Sequence, residues 1–122
     1  MDKPNISIPD GNPPTELEVE DITVGSGAEA AHGTTVSAHY SGVAWSTGAV
    51  FDNSYDRGEP LEFPLGAGMV IKGWEDGIVG MKVGGRRRIT IPPKLGYGAR
   101  GAGGVIRPHE TLVFVVDLVD VS

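Results

Sequence analysis

"MVIKGWEDGIVGM", Met69 to Met81, is the one stretch of the chain with helical spacing. Val70, Trp74 and Ile78 recur every four residues, with Ile71 and Met81 beside them, which draws one apolar stripe along a helix. Gly73 and Gly77 lower its propensity, and a segment this short is not stable alone. It must therefore pack on something, and the sequence around it reads as strands.

Upstream, "LEVEDITVG" (Leu17–Gly25) and "TTVSAHYSGVA" (Thr34–Ala44) carry period two. In the second, Val36, Ala38 and Tyr40 alternate with Ser37, His39 and Ser41, which puts Tyr40 on the buried face. "AVFDNS" and "PLEFPLG" add two short β segments around the polar loop "YDRGE". Downstream come "RRRITI" (Arg86–Ile91) and "TLVFVVDLVDV" (Thr111–Val121), the latter with Leu112, Phe114, Val116 and Leu118 on one face. Five or six strands with one helix and no βαβ alternation predict an α+β domain, a mainly antiparallel sheet wrapped around the helix. Residues 1–15 hold four of the nine prolines and read as a flexible or loosely docked arm, leaving 16–122 as the folded domain. The glycine-rich stretch Leu95–Pro108 has no pattern of its own, and so long a loop in a small domain points to function or disorder.

With 122 residues the chain makes one domain with one core. Nothing in it has the length and apolarity of a bilayer span, and the first residues lack a signal-peptide core, which predicts a cytoplasmic protein. The absence of cysteine excludes thiol chemistry and thiolate metal sites. A net charge of −6 argues against a nucleic-acid binder. The glycine-rich segments lack phosphate-loop or dinucleotide spacing. His32, His39 and His109 are scattered without ligand spacing, so no metal is expected. No serine sits in a nucleophile elbow. The three arginines of "GGRRR" alternate faces on a strand and make no coherent basic patch.

What remains is aromatic. Tyr40, Phe51, Phe63, Trp74, Tyr97 and Phe114 come from six different segments. Each alone is as readily core as pocket wall. Two tyrosines and a tryptophan in so small a core would need partners for their polar ends, and Tyr97 sits inside the glycine-rich loop. Asp52 places one acid beside Phe51. An apolar concavity with a few polar groups is the form of a small-ligand or peptide site.

The blocks "HYSG", "FDNS", "PLEFPLG", "VIKGWEDGIVGMKVGGRRRITIPPKLGYGARG" and "PHETLVFVVDLVDV" resemble the successive signatures of the FKBP-type peptidyl-prolyl cis-trans isomerases, over about Glu18 to Val121. The resemblance implies a strongly twisted antiparallel sheet around one short helix, with a pocket between them. It implies that proline-containing polypeptides and macrolides of the FK506/rapamycin type bind there, to a monomer that needs no cofactor. The positions that match a ligand site are Tyr40, Phe51, Asp52, Leu61, Phe63, Val70, Ile71, Trp74, Tyr97, Val105, Ile106 and Phe114. Trp74 would floor the pocket, and Tyr40, Phe51 and Phe114 would wall it. The Ile71 amide and Tyr97 hydroxyl would bond ligand carbonyls, and Asp52, Tyr97, Trp74 and Phe51 would carry catalysis. Leu61 stands where an aromatic rim residue is common, and Ala102 where a bulkier loop residue is. Rotation about a peptide bond needs no nucleophile, so an apolar site with few donors suffices. The alternative is a module that binds proline segments without turnover.

Overall fold

The computed structural model describes residues 2–122; Met1, the first residue of the proline-rich arm, lies outside the described residues. Six strands form one sheet: β1 (Glu18–Thr23), β2 (Thr35–Ala44), β3 (Val50–Asn53), β4 (Leu61–Pro64), β5 (Arg86–Ile91) and β6 (Leu112–Val121). Every pairing is antiparallel, in the order β1-β5-β6-β2-β3, and β4 continues the edge begun by β3 by pairing with the first half of β2. The fold is the antiparallel sheet with a single short helix that the pattern predicts, twisted as the resemblance implies.

The helix is shorter than its apolar stripe. Helix α1 covers Lys72–Gly77 only; Ile71 before it is extended (φ −61°, ψ 152°) and Ile78 closes its C-terminus. Trp74 and Ile78 keep helical spacing, while Val70 and Ile71 precede the helix, Ile71 in extended backbone, and pack against the same core. The glycines that shorten the helix are also what seat it. A β-carbon on Gly73 would lie 2.5 Å from Ile91, and one on Gly77 would lie 2.9 Å from Ile89. The helix therefore rests directly on β5, at the cost in propensity that glycine brings. Arg87 closes its end by donating to the carbonyls of Gly77 (2.9 Å) and Val79 (3.0 Å), and its guanidinium also pairs with Asp21 of β1 at 2.6 Å.

The alternation of β6 separates two apolar layers. Leu112, Phe114, Val116 and Leu118 join Val36, Ala38, Tyr40, Ile89, Ile91, Trp74 and Ile78 in the main core on the helix side. Val113 and Val115 are just as buried on the opposite face, in register with Val43 and Ser41 of β2. Across that back face lie residues of the amino-terminal arm. Arg88 donates to the Ser7 carbonyl at 3.0 Å, Arg86 donates to the Asp2 carbonyl, and Lys3 pairs with Asp56 at 3.1 Å. Ile6, Ile8 and Pro9 border the turn Trp45–Gly48.

Candidate active site

Trp74 is the hub of an aromatic cluster. Its ring meets Tyr40 edge-on at 4.9 Å, Phe114 edge-on at 5.3 Å and Phe63 at 5.6 Å, and Phe51 adds an edge contact with Phe114 at 5.5 Å. Such tilted and edge-to-face geometries are the favoured ones for aromatic pairs. Gly42 of β2 makes room for them, since a β-carbon there would lie 2.6 Å from the Phe114 ring and 2.7 Å from that of Phe51.

The cluster does not close. It opens into a cavity of about 370 Å³ lined by Tyr40, Phe51, Asp52, Leu61, Val70, Ile71, Trp74, Tyr97 and Phe114, with Gly68 and Met69 completing the rim. The structure thus brings nine of the twelve sequence-derived ligand positions to one wall. It does not bring the other three there. Phe63 is buried behind Trp74, Ile106 is buried in the main core, and the Val105 side chain stands out in solvent.

Asp52 is engaged on its Tyr40 side. The Tyr40 hydroxyl donates to Asp52 at 2.6 Å, Arg57 donates to the other Asp52 oxygen at 2.7 Å, and Arg57 also donates to the Tyr40 oxygen at 2.7 Å. The guanidinium carbon sits 5.5 Å over the Tyr40 ring. Tyr40, Asp52 and Arg57 thus form one hydrogen-bonded triangle. Burial, and then the bond to Asp52, push the Tyr40 phenol above its ordinary pKa. Tyr97 is also pushed up, by burial first and then by the Asp52 charge. Its hydroxyl has no hydrogen-bond partner among the described residues, and neither has the Ile71 amide. These two donors at the cavity wall are free for a ligand.

Three supporting residues escape a motif-by-motif reading. Met69 and Gly68 line the rim, and Glu75 fixes it. The buried Glu75 carboxylate accepts from the amide of Gly68 at 2.8 Å and from that of Gly66. An acid inside a short, glycine-rich, buried helix is the signal that could have found it, because a buried carboxylate needs donors. No group of His and acidic residues able to hold a metal occurs among the described residues.

Residues 27–119 match the FKBP-type peptidyl-prolyl cis-trans isomerase family. The FK506-binding protein of Streptomyces anulatus is 57% identical over 122 residues, spanning 99% of this chain and 98% of that one. A probable FK506-binding protein of Corynebacterium glutamicum is 50% identical over 119 residues, spanning 98% of each. Among solved structures, that of AtFKBP13 superposes with a TM-score of 0.81 at 42% identity, covering 90% of this chain and 96% of that one. The chain therefore belongs to the FKBP-type family and is a peptidyl-prolyl cis-trans isomerase.

Proposed function

We propose that the cavity takes the proline ring of an X-Pro segment onto the Trp74 indole, between Tyr40, Phe51 and Phe114, and turns the peptide bond there without covalent chemistry. One observation carries this reading: the residues that line an aromatic cavity include the unpartnered Ile71 amide and Tyr97 hydroxyl. Unaided, an X-Pro bond isomerises over tens to hundreds of seconds, because amide resonance resists rotation. The twisted transition state has lost that resonance and much of the amide dipole, so an apolar wall stabilises it relative to the planar ground state in water. The Ile71 and Tyr97 donors hold the flanking carbonyls while the bond between them turns. The triangle of Tyr40, Asp52 and Arg57 keeps one wall rigid and satisfies its polar atoms internally, so that the wall presents ring carbon to the proline.

The same cavity accepts macrolides of the FK506 type in this reading, as the names of the relatives suggest for those proteins. The test is the isomerisation rate of a short X-Pro peptide with and without such a macrolide. Acceleration that the macrolide abolishes supports the reading. Binding of the peptide without acceleration leaves a proline-binding module in its place.

A further inference from the structure

We propose that Arg100 and Arg107 select substrates with an acidic residue next to the proline; this rests on the cavity being the isomerase site. The observation is one of charge. Of the ten lysines and arginines, Lys3, Arg57, Lys72, Arg86, Arg87 and Lys94 each meet a carboxylate, and Arg88 meets a carbonyl. Among the described residues Lys82, Arg100 and Arg107 have no such partner. In a chain of net charge −6, where anions outnumber cations, two unpaired arginines on one loop are conspicuous.

That loop is a narrow hairpin at the cavity edge. Its base is tied by the His109 amide donating to the Gly98 carbonyl at 2.8 Å, directly after the wall residue Tyr97. Its tip is tied by the reciprocal pair Ala102 to Ile106, at 2.9 and 3.0 Å. Arg100 and Arg107 fall between these two ties, on opposite arms of the hairpin, and both are exposed. The arms run close together here, since a β-carbon on Gly101 would lie 2.1 Å from the Ile106 carbonyl oxygen. The two arginines thereby sit on one short ribbon that begins directly after Tyr97. Across the cavity, Asp52 is itself paired with Arg57 at 2.7 Å. At about 0.1 M salt an arginine acts on a carboxylate flanking the bound proline over a Debye length of about 10 Å.

A protein of charge −6 should draw cationic peptides faster than anionic ones. The test is kcat/KM for X-Pro peptides with Glu, Gln or Lys placed before or after the proline, for the wild type, the Arg100→Gln/Arg107→Gln double variant and Lys82→Gln. At low salt the wild type should prefer Glu over Lys at one of these positions by about threefold to tenfold, with the preference fading towards one as salt shortens the screening length. The double variant should lose the preference, and Lys82→Gln, which removes an equally unpaired cation on a different turn, should keep it. Lys preferred at both positions, or a Glu preference that survives the double substitution, overturns the proposal. Acceleration of the Gln peptide by the wild type with no preference overturns the proposal alone. No acceleration of any peptide overturns the isomerase reading with it.

Discussion

The Tyr40 hydroxyl donates to the Asp52 carboxylate at 2.6 Å, and this bond joins two strands that are paired along the cavity wall. Arg57 bonds both partners, so the three side chains act as one unit. Arg57 and Asp52 are each nearly half exposed, and such a pair contributes at most about 1 kcal/mol to stability. Its effect should appear in the rate. Tyr40→Phe and Asp52→Val should each lower kcat/KM several-fold to about tenfold while the protein stays folded. The double variant should be no more than about twofold worse than the weaker single variant, as expected for residues in one network. Fully additive losses in that cycle would mean that the two side chains serve the site separately.

Trp74 and Phe63 form a natural pair for separating floor from core. Both are buried and their rings lie 5.6 Å apart, yet only Trp74 lines the cavity. Trp74→Leu and Phe63→Leu should each destabilise by about 1–3 kcal/mol in denaturant titrations. In a Trp45→Phe background, which removes the second indole, ligand binding should change the Trp74 fluorescence. Affinity for a proline peptide should fall at least tenfold in Trp74→Leu and by less than about threefold in Phe63→Leu. Equal losses in the two variants would return Trp74 to an ordinary core role.

The sheet and the helix could be read from the sequence because they rest on period, and most of the cavity wall because its residues fall in blocks that resemble a known family. Val36, Ala38 and Tyr40 alternate as a strand demands, and Trp74 and Ile78 repeat as a helix demands. Helix length was less legible, since spacing cannot register that Gly73 and Gly77 serve to approach β5 rather than to extend a helix. The polar triangle was half legible. Asp52 stands out beside Phe51, but the bonds of Arg57 to it and to Tyr40 depend on how the β3–β4 loop folds back. Phe63 illustrates the opposite error: its aromatic type suits a wall, while its place behind Trp74 comes only from the register of β4 on β2. Motifs report which residues cluster, and register reports which of them face the ligand.

Glu75 should govern the rim. Its carboxylate holds the amides of Gly66 and Gly68, and Gly68 and Met69 border the cavity. Glu75→Gln keeps one acceptor oxygen and Glu75→Ala keeps none. Stability should fall by about 1 kcal/mol for Gln and by about 2–3 kcal/mol for Ala, where two amides lose a charged acceptor. KM for a proline peptide should rise more than kcat falls, because the rim binds and does not turn the bond. A selective loss of kcat in Glu75→Gln would instead give this carboxylate a part in the rotation step.

Three tyrosines should make the fold sensitive to alkali. Tyr40, Tyr55 and Tyr97 all have their phenol pKa raised above the ordinary 10.0, each by burial first, with Tyr55 raised further by its bond to Asp117. A raised folded pKa means that the native state favours the protonated phenol. Its contribution is complete below pH 10 and is lost as pH rises through the folded pKa. Stability should thus not vary with pH through these groups near neutrality and should decline above about pH 10. Tyr55→Phe, which cannot ionise, should flatten that decline when urea midpoints are compared at pH 8 and pH 11. An unchanged alkaline slope in Tyr55→Phe would count against its role.

Removal of residues 2–15 tests what the back of the sheet needs. Val43, Val113 and Val115 are at most 2% exposed on the face away from the helix, although no helix covers them. The arm is held over that face by Arg86 and Arg88, and its isoleucines, Ile6 and Ile8, are partly buried. Stripping it should uncover these valines and cost about 2 kcal/mol, which for a domain of this size lowers Tm by roughly 5–10 °C. The cavity lies on the other side of the sheet, so kcat/KM on a short peptide at 15 °C should stay within about a factor of two. Lys3 joins the arm to the β3–β4 loop through Asp56, next to Arg57. An unchanged Tm would mean that the arm is free in solution. A tenfold loss of activity, reproduced by Lys3→Ala alone, would mean that the arm steadies the Tyr40 wall through that ion pair.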